Sequence, residues 1–107
     1  YVYWPASHTL AHRYFRQYPD RIEGTFRETP EWDERGWGIF SDDSPEPARE
    51  FAARAGDVIL WHGWLCHSGS SNVNKSPRVG FFARWTHGDD AMVREAIPAD
   101  PWHHWAI

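Results

Sequence analysis

The opening of the chain switches from a strand-like pattern of apolar positions to a helical one. Tyr1–Trp4 is a short β-type run that Pro5 stops. A more helical stretch follows from Leu10 to Tyr18, and Pro19-Asp20 ends it. The first twenty residues therefore predict one strand followed by one helix.

The later part of the chain carries the strongest strand signals. After a turn at Gly56-Asp57, Val58–Trp61 is β-branched and apolar enough to form a buried strand. Val79–Trp85 is a second such run, and residues 68–77 between them are polar. Two core strands joined by a polar loop form a hairpin-like unit, which is typical of an all-β fold.

Two regions give weaker signals. Residues 21–49 are rich in Glu, Asp, Pro and Gly and have isolated aromatic residues without a sustained period. They predict a long surface excursion with a short strand at Trp37–Phe40. The last residues predict a short helix over Asp90–Ala96 and tryptophan rings that pack back on the sheet. We expect residues 1–107 to form one domain.

Composition narrows the class of protein. The net charge of −4 gives no basic surface for nucleic acid, and no apolar run is long enough to cross a membrane. The single cysteine, Cys66, excludes an internal disulfide and fits a reducing compartment, so a soluble, cytoplasmic protein is expected. Eight tryptophans in a polar chain indicate either a few large buried rings or a pocket lined by rings.

One ordered set of motifs carries candidate chemistry. The run from Gly56-Asp57 through the strand to His67 is followed, eleven residues after the histidine, by Arg78. Near the start, Trp4-Pro5-Ala6-Ser7-His8 is similar to a Pro-Gly-Ser-His turn, with Ala6 in place of glycine. In this order the motifs resemble the phytanoyl-CoA dioxygenase family of iron(II)/2-oxoglutarate oxygenases.

The resemblance implies a fold and a function. The fold would be the C-terminal half of a double-stranded β-helix (jelly roll), all-β with short peripheral helices. His67 would be one of two histidine ligands of Fe(2+), which with a carboxylate leave positions open for the keto acid and dioxygen. Arg78 would bind the distal carboxylate of 2-oxoglutarate, because its planar, forked guanidinium group stays charged when enclosed. The implied reaction is hydroxylation of a small organic molecule.

The chain departs from the family pattern at several points. The family's other two ligands form a His-x-Asp pair before the turn. We expect that pair upstream of Tyr1, in a longer parent protein. The isolated chain is therefore expected to be inactive. His87-Gly88-Asp89 comes too late in the order to replace it, and His8 belongs to the turn rather than to the metal. Gly69 stands where some members have a serine, and Ser68 or Ser70 is a candidate substitute.

Simpler interpretations of the same residues remain open. His67 also fits the role of a core histidine whose hydrogen bonds are satisfied. Arg78 also fits the role of a strand-edge arginine paired with a surface carboxylate. Asn72 fits either an Asx-type turn or an approach to the metal, with the turn favoured. Cys66 should pack as a small apolar group, and His62 should face away from His67. The alternative function is a non-catalytic jelly-roll module whose tryptophans stack on a carbohydrate or other flat ligand.

Overall fold

A small sheet and a helical segment make up the regular secondary structure of the described residues. The computed structural model describes residues 1–23, 25–85, 88 and 97–103. Its helices are α1 (Ser7–Gln17), α2 (Pro30–Arg35) and α3 (Gly38–Ser41), with 3-10 helices at Pro19–Glu23 and Thr25–Glu28. Its strands are β1 (Val2–Tyr3), β2 (Arg49–Glu50) and β3 (His67–Ser68). No helix among these described residues is long and apolar enough to cross a membrane.

Helix α1 confirms the predicted helix and begins three residues earlier than expected. Leu10, Ala11, Tyr14 and Phe15 recur at helical spacing, so they share one face, and Ala11 and Phe15 are buried. The helix ends at Gln17, one residue before the predicted end at Tyr18, and Pro19 follows as the predicted stop.

The segment after α1 is helical, so the expected strand at Trp37–Phe40 is wrong. Helix α2 begins at a capped turn: Thr29 Oγ1 accepts a hydrogen bond from the Trp32 amide at 3.3 Å, and Pro30 occupies the first helical position. Gly36 ends the helix with a φ of 54°, which glycine adopts without strain. The sequence contains these start and stop signals, although its apolar positions show no sustained period.

The apolar core lies between α1 and this segment. Phe26 and Phe40 are almost fully buried and stack on each other, with ring centroids 5.5 Å apart. Phe15 of α1 packs against Phe26 at 5.7 Å. Burying one such ring contributes roughly 1.5–3 kcal/mol. Residues 21–49 were expected on the surface, yet they supply half of the buried apolar side chains of the described chain.

Strand β1 is the centre of a three-stranded antiparallel sheet, in the order β2-β1-β3. Tyr3 pairs with Arg49 on one side and with His67 on the other. The predicted strand at Tyr1–Trp4 is therefore confirmed as β1. The sheet brings His67 beside the beginning of the chain, some sixty residues away in sequence.

The expected all-β double-stranded β-helix is wrong. Each strand has two residues, and Val58–Trp61 and Val79–Trp85 have no regular secondary structure. Val58 is 81% and Phe81 95% exposed. Apolar, β-branched runs form strands only when neighbouring strands pair with them and cover a face, and the described residues provide neither for these two runs. The helix expected over Asp90–Ala96 lies outside the described residues.

Candidate functional site

The turn before α1 is fastened to the segment that leads into His67. Ser7 is fully buried; its Oγ donates to the Trp4 carbonyl at 2.7 Å and accepts from the Cys66 amide at 2.8 Å. The Trp4 amide donates to the Cys66 carbonyl at 3.0 Å. These three hydrogen bonds fix the residue directly before His67 against the turn.

His67 has a defined tautomer. Its Nδ1 lies 2.7 Å from the Leu65 carbonyl oxygen, which can only accept, so Nδ1 carries the proton. In the neutral ring the lone pair is then on Nε2. Metal-binding histidines are commonly oriented in this way, by a backbone carbonyl on the other ring nitrogen. The side chain is exposed, so the interpretation of His67 as a core residue is wrong.

Two aromatic rings flank His67. The Tyr1 ring stacks on the imidazole with centroids 5.3 Å apart, and Trp61 meets it edge-on at 5.5 Å. The Tyr1 hydroxyl is enclosed without a hydrogen-bond partner among the described residues, and burial raises its pKa to about 12. Tyr1 therefore remains a neutral phenol at physiological pH. Its place beside His67 was not predicted, because the contact depends on the pairing of β1 with β3.

Arg78 is held by Ser70. Its guanidinium donates to Ser70 Oγ at 2.9 Å and to the Ser70 carbonyl at 2.8 Å. Ser70 Oγ also lies 3.0 Å from the amino-terminal nitrogen of Tyr1. Arg78 forms no ion pair with a carboxylate in the described part of the chain. Ser70, one of the two candidate serines, is thus in contact with the candidate cosubstrate residue.

The neighbours of His67 have structural roles. Asn72 Oδ1 accepts from the Asn74 amide at 3.2 Å, and its Nδ2 donates to the Ser76 carbonyl at 2.7 Å, which confirms the predicted Asx-type turn. Cys66 packs against the apolar core as predicted, and burial raises the pKa of its thiol. Ser68 contacts the neighbouring Gly69 carbonyl at 3.4 Å.

A second group of rings joins α1 to residues 97–103. The imidazoles of His8 and His62 lie 5.3 Å apart, and Trp102 packs against both rather than on the sheet. His62 Nε2 donates to the Pro101 carbonyl at 3.1 Å, and its Nδ1 accepts from the Trp64 amide. Both ring nitrogens of His62 are therefore engaged within the protein.

The described residues contain no group of three histidine, cysteine or carboxylate side chains able to hold a metal ion. His87 and Asp89 lie outside the described residues. The chemistry of His67 nevertheless fits iron(II), because an oriented imidazole with a free Nε2 lone pair is a preferred ligand of that ion. The described part of the chain thus offers one candidate iron ligand.

The comparison with protein families agrees with the motifs. The model of the phytanoyl-CoA dioxygenase (PhyH) family matches residues 2–80, and the chain belongs to this family. The resemblance read from the turn, His67 and Arg78 is therefore confirmed at the level of the family, which is one of oxygenases that generally use iron(II) and 2-oxoglutarate. No curated protein and no solved structure matches the chain.

Proposed function

We propose that the protein containing this chain is an iron(II)/2-oxoglutarate-dependent dioxygenase that hydroxylates a small organic molecule. The observation that carries the proposal is the orientation of two side chains. The Leu65 carbonyl leaves the lone pair of His67 on Nε2, and Ser70 holds the Arg78 guanidinium through two hydrogen bonds.

His67 would be one ligand of the iron, through Nε2. The metal, when bound, supplies the activation of dioxygen that is coupled to decarboxylation of 2-oxoglutarate to succinate. The Leu65 carbonyl holds the imidazole in the required tautomer. Tyr1 would support one face of the ring by stacking and Trp61 would contact its edge, so that both limit its rotation.

Arg78 would bind the distal carboxylate of 2-oxoglutarate. Its guanidinium already makes two hydrogen bonds to Ser70, so its orientation is restricted before the cosubstrate arrives. The remaining N–H groups of the fork are available to a carboxylate, since a guanidinium has five donors. A charge-assisted, bidentate contact of this kind is among the stronger polar interactions in proteins.

The test separates the two residues in the full protein. His67→Ala should abolish iron binding and turnover. Arg78→Ala should retain iron but bind 2-oxoglutarate more weakly. Losing a charge-assisted contact in an enclosed site costs roughly 2–5 kcal/mol, which is about 30-fold to several-thousand-fold in affinity. Arg78→Lys should recover only part of the loss, because an ammonium cannot reproduce the fork. The measurement is succinate formation against 2-oxoglutarate concentration, with iron content determined on the same samples.

Arg84 provides the matched control, since it is an exposed arginine six residues further along the same irregular segment. Arg84→Ala should leave the 2-oxoglutarate dependence unchanged. An unchanged dependence in Arg78→Ala would show that Arg78 is structural. Absence of 2-oxoglutarate turnover in the unmodified, iron-loaded protein would favour the non-catalytic binding module instead.

A further inference from the structure

A pocket of about 280 Å³ lies between helix α1 and the 97–103 segment. Its lining is formed by Thr9, His12, Arg13, Arg16, Ala99 and Pro101. None of these residues belongs to the group formed by His67, Ser70 and Arg78. The pocket is therefore separate from the proposed oxygenase site in its residues.

The pocket carries two positive charges that form no ion pair among the described residues. Arg13 and Arg16 are three residues apart on α1, so their side chains are neighbours, and both are exposed. Neither pairs with a carboxylate in the described part of the chain, whereas Arg21, Arg35 and Arg49 each do. Like charges at this spacing destabilise a helix, and a bound anion would remove that repulsion.

The opposite wall of the pocket is fixed in place. His12 Nε2 lies 2.7 Å from the Pro98 carbonyl oxygen and donates to it, which holds the 97–103 segment against α1. Ala99 and Pro101 supply the apolar part of the lining, and Arg13 and Arg16 supply its charged part. The Thr9 hydroxyl donates to the Ala6 carbonyl at 2.7 Å, so it lines the pocket without supplying a further donor.

We propose that this pocket binds a phosphate group. Two guanidinium forks match the doubly negative charge and the three terminal oxygens of a phosphate better than the single charge of a carboxylate. The apolar wall at Ala99 and Pro101 suits the organic part of a phosphate ester. The inference does not depend on the oxygenase activity, because it uses none of the residues assigned to iron or 2-oxoglutarate.

Calorimetric titration of the full protein with inorganic phosphate, phenyl phosphate and acetate, at constant ionic strength, tests the proposal. Inorganic phosphate should bind saturably, and Arg13→Gln/Arg16→Gln should weaken it by about tenfold or more, which corresponds to about 1.4 kcal/mol. Glutamine keeps the helix propensity of arginine, so the variant should fold. Tighter binding of phenyl phosphate than of inorganic phosphate identifies an ester as the ligand, and equal binding identifies free phosphate.

Arg54→Gln/Arg84→Gln is the matched control, because both arginines are exposed, lie outside the pocket and form no ion pair in the described part of the chain. This variant removes the same two charges and should bind phosphate within about twofold of the unmodified protein, as screening limits the reach of distant charges. Equal weakening in the two double variants would reduce the effect to net charge and overturn the proposal. Acetate binding as tight as phosphate binding, or no saturable binding of any phosphate, would overturn it too.

Discussion

Ala6 adopts a backbone conformation that is unfavourable for a residue with a Cβ atom. Its φ is 61° and its ψ −2°, and among the described residues it is the only one other than glycine with a positive φ. The left-handed conformation costs an L-residue roughly 1–2 kcal/mol. The position is also the one at which the sequence has alanine where the similar family turn has glycine. Alanine at this position of the turn therefore destabilises the folded state relative to glycine.

Ala6→Gly should stabilise the protein. Removal of the Cβ relieves the left-handed strain, and the greater freedom of glycine in the unfolded chain cancels part of the gain, which leaves about 0.5–1 kcal/mol. Urea unfolding of the two proteins measures the difference. As a control, Ala11→Gly, which lies buried within α1, should destabilise by about 1 kcal/mol or more. Equal effects of the two glycines would contradict the role assigned to the φ of Ala6.

Ser7→Ala should destabilise the protein by about 1–3 kcal/mol. The substitution leaves the Trp4 carbonyl and the Cys66 amide without the buried hydroxyl that joins them. Ser41→Ala removes a hydroxyl with two solvent-exposed contacts, to the Trp37 carbonyl at 3.4 Å and to Asp42 Oδ1 at 3.2 Å, and should change the free energy of unfolding by less than about 0.5 kcal/mol. The comparison is again by urea unfolding. A loss in Ser7→Ala no larger than that in the control would show that water replaces this hydroxyl.

At the scale of elements, the sequence predicted those whose signals are local. α1 followed from the helical run and its proline stop, and β1 from the apolar run before Pro5. The runs at Val58–Trp61 and Val79–Trp85 failed as strands because pairing partners, and not propensity, decide whether a strand forms. The contact of Tyr1 with His67 could not be predicted for a related reason, since it depends on the pairing of β1 with β3, which are far apart in sequence.

The docking of the 97–103 segment on α1 should depend on pH. Burial lowers the pKa of His8, and charge on His62 and His12 lowers it further. Burial also lowers the pKa of His62; the hydrogen bond to Pro101 opposes this shift, and charge on His12 adds to it. The unfolded chain, with histidine pKa values near 6.5, therefore takes up protons before the folded one. The stability that is present above about pH 6.5 is therefore lost progressively as the pH falls from there through the lower pKa values of the folded-state histidines.

The free energy of unfolding, measured from pH 7.5 to 5, should fall with pH more steeply in the unmodified protein than in His8→Asn. Asparagine keeps a polar side chain at this position but does not titrate. His103→Asn provides a comparison, because the His103 side chain is exposed. An identical pH dependence in unmodified protein and His8→Asn would show that the His8 ring does not control this docking.

The molecule as a whole carries an uncovered apolar surface outside its helical core. Val79 is 93% and Phe81 95% exposed, and Leu60 and Val58 are 80% and 81% exposed. The two segments that carry them approach each other where Trp61 meets Phe82, with centroids 6.3 Å apart. Exposed apolar side chains in such number are typical of surfaces that associate.

The isolated 107-residue chain should therefore self-associate at micromolar concentration. Val79→Asp/Phe81→Asp should shift it toward monomer in sedimentation velocity, because a charge on each position opposes burial. Ser71→Asp/Ser76→Asp adds the same charge at exposed polar positions and should leave association nearly unchanged. A similar shift in both variants would attribute association to net charge rather than to the apolar surface.

The hydrogen bonds between the Ser7 turn and Cys66 also set an order of assembly. The contacts of α1 with residues 19–41 are local, whereas the bond from Ser7 to Cys66 closes a loop of 59 residues. Long loops close at a higher entropic cost, and contacts distant in sequence form late in folding. The buried apolar side chains of the described residues, which all lie within residues 11–40, can thus pack together before Cys66 and His67 reach their places. On transient opening the order of these steps reverses, so the protein can release the His67 region while its buried core stays folded.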